Sequence, residues 1–239
     1  MTQVKVTKVD FERWQAAQKF ELEFAQNAVN SGDDYNHWWY SAFEKYQPIH
    51  KLMLDNVLEV GCGPHTNIRL ILPHIKYKNL WLEDPLINSY LKLRKQIKRF
   101  RIFPINTKTV VSELVEKKRA IPLPEQMEEL SLSNESIDLC VCINVLDHVR
   151  DADLCFQQMH RVLRKNGVLI IGQDMSNAED LQLCPESWTD IGHPIKMDTE
   201  YLDSQTQGLS ALYRKILPRE QGRNPKCHYG TYLFIGQKK

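Results

Sequence analysis

The sequence lacks a long apolar run, an excess of charge and a metal-type cysteine pattern. No apolar stretch approaches the roughly 18 residues that cross a membrane, and the first residues carry no apolar signal core, so we expect a cytoplasmic protein with no membrane partner. The formal net charge is only +1, which speaks against a nucleic-acid partner. The six cysteines form no C-x-x-C pair and no zinc-type Cys/His spacing, so we interpret all six as reduced thiols.

What the chain does contain is an alternation of apolar runs with helical stretches. The runs lie at residues 57–60, 80–82, 101–105, 137–143 and 167–172, and two late ones at 210–217 and 230–236. Such alternation is typical of a parallel sheet that is covered on both faces. We therefore predict an α/β fold with a doubly wound, mostly parallel seven-stranded sheet and an antiparallel closing strand.

Residues 1–50 have a different pattern and predict an N-terminal helical cap in front of a Rossmann-like domain at 51–239. Phe11, Trp14 and Leu22 recur at helical spacing, and five aromatic residues and a histidine follow between positions 35 and 43. Most of these aromatics are expected to pack the cap onto the core. The alternative is that Tyr40, Trp39 and His37 contact a substrate.

The remaining segments give weaker predictions. The spacing predicts a helix at 90–99 and an amphipathic helix at 151–166 that Asp151 caps and Gly167 ends. A further helix is predicted at 198–208. Residues 106–120 are poorly patterned, 120–124 read as a proline-bracketed connector, and 173–194 read as a loop with some helix.

A glycine turn follows the first apolar run. Gly61 and Gly63 allow a tight turn in which backbone N–H groups face a ligand. Asp84 follows the second run, about 20 residues later, where a carboxylate is placed to hold a ribose hydroxyl. The turn alone is a weak signal, but the turn and Asp84 together predict nucleoside binding.

With the run at 137–143 included, the sequence resembles the S-adenosylmethionine-dependent methyltransferase family with the doubly wound fold. The resemblance covers roughly residues 51–175. Four motifs carry it, namely Leu58-Glu59-Val60-Gly61-Cys62-Gly63-Pro64, Asp84-Pro85-Leu86, Ser136 to Val149, and Leu163 to Leu169. The resemblance implies a methyltransferase with S-adenosyl-L-methionine as its cofactor.

The same resemblance implies the cofactor contacts. The turn residues Gly61, Cys62 and Gly63 would approach the amino-acid part of the cofactor, with Glu59 beneath them. Asp84 would hold the ribose, a role that the adjacent Glu83 could share. The other implied contacts are with the adenine, from Gln126 and Met127, and with the methionine end, from Ile143 and Asn144. His65 stands where the family often has a third glycine.

The acceptor is predicted less closely. No Asn-Pro-Pro-Tyr type motif and no basic strip with interleaved aromatics is present, so we favour a small molecule or a sugar that is methylated at oxygen or nitrogen. An oxygen acceptor usually needs a general base. His193 is our first candidate, His148 the second, and His37 a third.

Two other functions share part of this pattern. A nicotinamide-dependent oxidoreductase would also use a glycine turn and an acidic residue for the ribose. However, Thr66 stands at the last glycine of that motif and Pro64 fills the turn. A non-catalytic protein that keeps the fold as a cofactor or partner binder is the second alternative. The oligomeric state is not indicated by the sequence.

Overall fold

The computed structural model describes residues 5–31, 36–97, 105–176, 180 and 191–239. The helices are α1 Phe11–Ser31, α2 Asn36–Ala42, α3 Ile68–Ile71, α4 Ile87–Tyr90, α5 Val110–Glu116, α6 Ala152–Val162 and α7 Thr199–Thr206. The strands are β1 Met53–Val60, β2 Lys76–Glu83, β3 Arg94–Ile97, β4 Ile105–Lys108, β5 Ile121–Leu123, β6 Ile137–Ile143, β7 Leu163–Met175, β8 Leu209–Pro218 and β9 Gly230–Lys238. None of the helices within these residues is long and apolar enough to cross a membrane.

Seven strands form one sheet in the order β5-β2-β1-β6-β7-β9-β8. The first five of these are parallel, and β9 runs antiparallel between β7 and β8. The chain leaves β1 toward one edge and later returns to pair β6 with the other side of β1. This reversal places a crevice at the carboxyl ends of β1 and β6. The predicted fold class is confirmed; the division at residue 50 stays a prediction.

The middle of the sheet is buried on both faces. Every residue of β6 is buried, as expected for a central parallel strand. Leu139 and Val141 face one core, which α2, α3, α4 and α5 cover. Cys140 and Cys142 face the other, which α6 and α7 cover. Because successive side chains of β6 point to opposite faces of the sheet, this one strand contributes to both cores.

Four predicted elements differ in the structure. The parallel strand beside β2 is β5, which lies within the predicted connector. Its Pro122 is tolerated because β5 is at the edge of the sheet. Residues 101–104 of the predicted third strand lie outside the described residues. The predicted helix at 90–99 is instead the end of α4 followed by β3, which pairs with β4 in a separate ribbon, and α5 occupies the unpatterned segment.

The predicted helix at 151–166 also ends early. Asp151 caps α6 by accepting a hydrogen bond from the Leu154 N–H at 3.1 Å, but Leu163 is already extended and pairs with Ile137. Asn166, rather than Gly167, takes the left-handed backbone conformation, with φ of 62°. The prediction extended the helix because its apolar spacing continues into the following strand.

The cysteines depart from the prediction at one position. Cys62, Cys140, Cys142 and Cys155 are free and buried, as small apolar side chains often are. Cys227 is disulfide-bonded, and its partner lies outside the described residues. The prediction of reduced thiols was therefore wrong for Cys227.

Candidate active site

The glycine turn joins the end of β1 to α3. Gly61 and Gly63 both have positive φ, at 59° and 56°, which other residues adopt only at a cost. A Cβ on Gly61 would lie 2.4 Å from the Val145 side chain, whereas one on Gly63 would have no atom within 4 Å. The first glycine is thus required for packing, and the second leaves open space above the turn.

Glu59 holds the far side of this turn from below. Its carboxylate accepts hydrogen bonds from the Thr66 hydroxyl and from the Asn67 N–H, the latter at 2.7 Å. The Ile68 N–H approaches the same carboxylate at 3.3 Å. These donors belong to the start of α3, where N–H groups have no partner within the helix, so Glu59 closes the turn from inside the protein.

Two more carboxylates hold the turn from the end of β2. Glu83 accepts a hydrogen bond from the Gly61 N–H, and Asp84 accepts one from the Gly63 N–H, each at 3.1 Å. The second oxygen of Asp84 accepts from the Leu86 N–H at 2.8 Å. The acidic pair at the end of β2 is therefore in contact with both glycines.

Burial sets the charge of these carboxyls. Loss of solvent raises the pKa of Glu59 to about 8 and that of Asp84 to about 6, against the pull of their backbone hydrogen bonds. Burial and the charge of Asp84 also raise the pKa of Glu83. At neutral pH, Glu59 is then mostly protonated and Asp84 mostly ionised. Asp84 is therefore the group that is ready to accept hydrogen bonds from a ligand.

A cavity of about 210 Å³ lies above the turn and beneath α1. The turn residues Gly61, Cys62 and Gly63 form part of its floor. Helix α1 forms its roof through a stripe at alternating steps of four and three residues, namely Trp14, Gln18, Glu21, Ala25 and Ala28. The helical N-terminal segment thus covers the glycine turn, and the stripe places two polar groups over it.

Several wall atoms of the cavity are suited to a polar ligand. Glu83 Oε1 and Gln126 Oε1 are buried and have no hydrogen-bond partner among the described residues, although such atoms normally have one. Met127 lies beside Gln126 in the wall. His65 is half-buried and lies outside the cavity lining. The His65 side chain therefore does not narrow the space over the turn. The unpaired oxygens of Glu83 and Gln126 suit a nucleoside, whose hydroxyl and amino groups can donate hydrogen bonds to them.

The end of β6 supplies the next part of the wall. Ile143 and Asn144 line the cavity, and Asn144 has a φ of 57°. With its amide oriented to satisfy both neighbours, Asn144 donates to Asp174 at 3.2 Å and accepts from Arg223 at 3.3 Å. Asp174 also accepts from Arg223 directly, at 2.9 Å, and from the Thr231 hydroxyl at 2.8 Å. A buried ionic network therefore braces this wall.

A second part of the cavity wall, which we name the polar end, brings together Glu21, His148, His193 and His228, with Asp147 beside His148 and His193. The His148 Nε2 lies 3.4 Å from Asp147 Oδ1, and the His193 Nε2 lies 3.7 Å from Asp147 Oδ2. The ring centres of His148 and His193 are 4.6 Å apart. The structure thus brings together the two histidines that the sequence marked as catalytic candidates, with a carboxylate between them.

Backbone contacts fix the polar end in place. The Ile195 N–H donates to the Asp147 carbonyl at 3.2 Å, and His148 Nδ1 lies 2.8 Å from the Gly192 carbonyl oxygen. Helix α1 is tied to the same segment, because Gln18 donates to the His148 carbonyl at 3.1 Å. The segment after β7, the exit of β6 and the roof helix therefore meet at one point.

The charges of the polar end depend on one another. Burial alone would raise the pKa of Asp147, but His148 and His193 hold it below its ordinary value. Burial would lower the pKa of His148, and the carboxylates of Asp147 and Glu21 raise it instead. Burial raises the pKa of Glu21 and lowers that of His228. Asp147 and His148 therefore support each other's charged forms.

The residues predicted to contact a substrate lie elsewhere. Trp39 is fully buried against Phe43 and Gly172 in the core, the Tyr40 hydroxyl lies 2.9 Å from His74 Nε2, and the other candidate, His37, is exposed. All three are absent from the cavity lining. Because α2 packs on the sheet rather than over the turn, its aromatics mainly serve the core.

Sequence reasoning missed Glu21, His228 and Arg223, which all line the cavity. Glu21 and Gln18 stand in an otherwise apolar stripe of α1, and this interruption is a signal that the sequence offered. Arg223 and His228 lie in the loop before β9, where no local pattern marks them. Their positions depend on the antiparallel pairing of β9 with β7.

Residues 88–171 match the family model for a methyltransferase domain. No curated protein matches the chain in sequence.

Solved structures share the fold over nearly the whole chain. The 1,6-didemethyltoxoflavin-N1-methyltransferase of Burkholderia thailandensis, with bound 1,6-didemethyltoxoflavin and S-adenosylhomocysteine, is 12% identical over 100% of this chain and 94% of its own, with a TM-score of 0.60. The N-methyltransferase NodS of Bradyrhizobium japonicum WM9, in complex with S-adenosylhomocysteine, is 16% identical over 95% and 98%, with a TM-score of 0.55. The YcgJ protein of Bacillus subtilis is 12% identical over 84% and 98%, with a TM-score of 0.59.

At these identities the structures show the fold, and the matched family model adds the activity. The glycine turn, the carboxylates after β2 and the open space above Gly63 fit the cofactor that the sequence motifs implied. The chain therefore has the doubly wound fold of S-adenosylmethionine-dependent methyltransferases, and its residues 88–171 match a methyltransferase domain, which identifies S-adenosylmethionine as the cofactor.

Proposed function

We propose that this methyltransferase methylates a small molecule, which could be a sugar, at oxygen or nitrogen. The observation that carries the proposal is the cavity beneath α1, which joins the glycine turn to the polar end in one space of about 210 Å³. This space combines polar groups with apolar side chains, which is the lining expected of a small-molecule site. Phe20, Phe24 and Trp14 in the roof add apolar surface for such a molecule.

The cofactor would lie at the turn. The backbone of Gly61, Cys62 and Gly63 would meet its amino-acid part, with Glu59 supporting the turn from below. Asp84 would accept hydrogen bonds from the ribose hydroxyls, most strongly in its ionised form. The other contacts would be made by Glu83 beside Asp84, by Gln126 and Met127 at the adenine, and by Ile143 and Asn144 at the methionine end.

The acceptor would lie between the cofactor and the polar end. S-adenosylmethionine supplies a methyl group on a cationic sulfur, so transfer breaks the sulfur–carbon bond, forms the acceptor–carbon bond and releases the acceptor's proton. The protein's task is to align the acceptor and to assist the loss of that proton. We assign His193 and His148 to this step, because both line the cavity.

Two of the structural neighbours support the small-molecule part of the proposal. The Burkholderia thailandensis enzyme is named for N1-methylation of 1,6-didemethyltoxoflavin, and NodS is named as an N-methyltransferase. The small surplus of charge on this chain, +1, gives no support to a nucleic-acid acceptor. We also propose a cytoplasmic location, which microscopy of a fluorescent fusion of the chain would test.

Calorimetric titration tests the cofactor site first. S-adenosylmethionine and S-adenosylhomocysteine should bind the full chain, NAD should not, and Asp84→Ala should bind both adenosyl ligands roughly 10–100-fold more weakly, as expected for a hydrogen bond to a charged group. Asp55→Ala is the matched control, since Asp55 is an exposed carboxylate at the other end of β1, paired with Lys78. Equal losses in both variants would contradict the assignment of Asp84.

An acceptor screen with labelled cofactor tests the polar end. His193→Ala should lower turnover on any acceptor found and leave S-adenosylhomocysteine binding intact. His160→Ala serves as the control histidine, because His160 on α6 bonds to the Gln205 carbonyl of α7, outside the cavity. Unchanged turnover in His193→Ala would remove that residue from the proposed step.

A further inference from the structure

Three side chains at the polar end have the arrangement of metal ligands. Asp147, His148 and His193 each offer one ligand atom, and these atoms lie within 4.8 Å of one another. Within the described part of the chain, no other three His, Cys, Asp or Glu side chains meet in this way. Asp147 and His148 follow β6, and His193 is brought to them by the hydrogen bond between the Ile195 N–H and the Asp147 carbonyl.

The hydrogen bonding of His148 decides which nitrogen faces Asp147. Nδ1 lies 2.8 Å from the Gly192 carbonyl oxygen, and a carbonyl only accepts, so Nδ1 carries the hydrogen. In the neutral ring, Nε2 then directs a lone pair toward Asp147 Oδ1. That oxygen belongs to a side chain only 4% exposed and has no hydrogen-bond partner in the described structure. In that form, two electron-rich atoms face each other in a buried place, and either a proton on Nε2 or a metal ion between the two atoms would compensate them.

Their spacing matches a shared cation. The 3.4 Å between His148 Nε2 and Asp147 Oδ1 exceeds the roughly 2.7–3.2 Å of an N–H···O hydrogen bond. Two ligands that each lie about 2.1 Å from a tetrahedral ion are about 3.4 Å apart. His193 Nε2 lies 3.7 Å from the other Asp147 oxygen and is the third ligand atom of the group.

The ligand types indicate which cation would bind. Two imidazoles with one carboxylate suit Zn²⁺, Fe²⁺ or Mn²⁺ and are unlike the all-oxygen sets of Mg²⁺ and Ca²⁺. Three protein ligands leave a coordination position open, as in catalytic sites, and here His148 and His193 line the cavity. Glu21, whose carboxylate lies 3.3 Å from His148 Nδ1, would support that ring from outside, as carboxylates do behind ligating histidines.

We propose that Asp147, His148 and His193 hold a divalent transition-metal ion whose open position faces the cavity. This inference deepens the proposed function and rests on it for the identity of the molecule at the open position. An acceptor oxygen or nitrogen bound there would lose its proton more readily, because a bound cation lowers the pKa of its ligand. The two histidines would then assist proton loss through the ion that they hold.

Metal titration of the full-length, chelator-treated protein tests this. Zn²⁺ in calorimetry should bind at one ion per chain, and Co²⁺ should give the visible absorption of a nitrogen- and oxygen-ligated ion. His148→Ala, His193→Ala and Asp147→Asn should each weaken Zn²⁺ binding by more than the roughly 10–100-fold that loss of an outer-shell partner costs. His228→Ala should keep the wild-type affinity, since the ring of His228 is 5.9 Å from that of His193 and outside the triad.

S-adenosylhomocysteine titration of the same variants separates the two proposals. Retained binding shows that each variant is folded, so a loss of Zn²⁺ binding is then specific to the triad. Zn²⁺ binding without any cofactor binding would leave the metal site standing and contradict the proposed cofactor contacts. Absence of Zn²⁺ binding by the wild type, or equal losses in His228→Ala and the triad variants, would overturn the metal site.

Discussion

The two ends of the cavity are held together by different means. At the glycine turn, buried carboxylates accept hydrogen bonds from backbone N–H groups, as Glu59 does from Asn67 and Asp84 from Gly63. At the polar end, side chains from α1, the exit of β6 and the segment after β7 face one another. The first end is therefore specified by backbone conformation, and the second by the packing of distant segments.

This difference predicts where each end is vulnerable. A turn whose backbone N–H groups donate to buried carboxylates should be sensitive to any change of its backbone conformation. In a cluster of side chains, a substitution should act mainly on the other members of the cluster, since each group depends on the charge or hydrogen bonds of the others. Four predictions, in decreasing order of expected effect, test this contrast.

The largest effect is expected from Asp174→Ala, in the network that braces the wall between the two ends. The variant removes the carboxylate that Arg223 contacts at 2.9 Å, and it also removes the acceptor of the hydrogen bond from the Thr231 hydroxyl. Removal of one partner of a buried ion pair costs about 3–5 kcal/mol. The free energy of unfolding, measured in urea, should fall by that amount. The exposed pair of Glu113 and Lys117 supplies the control, because Glu113→Ala should cost much less.

The next effect separates the two glycines. Gly61→Ala places a Cβ against Val145 and forces a positive φ, so we expect it to cost about 2–4 kcal/mol from strain and overpacking together. Gly63→Ala has the same backbone strain without the contact, so we expect about 1–2 kcal/mol. Urea unfolding of both variants measures the difference. Equal losses would mean that Val145 yields and that the turn is less tightly packed than the structure indicates.

The glycine turn and the polar end also show how much of the structure the sequence could predict. The glycine turn was predicted because it is local: β1, the two glycines and the carboxylates after β2 lie within 57–84. The fully buried β6 was predicted for the same reason. Strand β5 was missed because a proline in a three-residue edge strand looks like a connector. The association of His193 with Asp147 was not predictable, since only tertiary packing unites residues 46 positions apart.

The third prediction concerns pH at the turn. Burial raises the pKa of Asp84 to about 6, and its ionised form is the stronger acceptor of hydrogen bonds from a ribose. Lowering the pH from 8 to 5 protonates most Asp84 side chains, so affinity for S-adenosylhomocysteine should fall about tenfold, as expected one pH unit below a pKa. Calorimetry across that range measures it.

An Asp84→Asn variant separates this effect from other titrating groups. Its affinity should be low and nearly independent of pH, because an amide does not titrate. A tenfold pH dependence that persists in Asp84→Asn would assign the effect to another carboxyl, and Glu59 or Glu83 would be the next candidates.

The smallest effect is expected from Glu21→Gln, in the helix that covers both ends. Glu21 contacts His148 at the polar end, and the amide keeps its size, so α1 should stay in place through Gln18 and the buried Trp14, Ala25 and Ala28. Affinity for S-adenosylhomocysteine should change by no more than about twofold, because no cofactor contact is lost. A tenfold change would require a loss of about 1.4 kcal/mol of binding free energy. A loss of tenfold or more would show that the roof helix transmits changes at the polar end to the turn, and the two ends would then have to be treated as one coupled site.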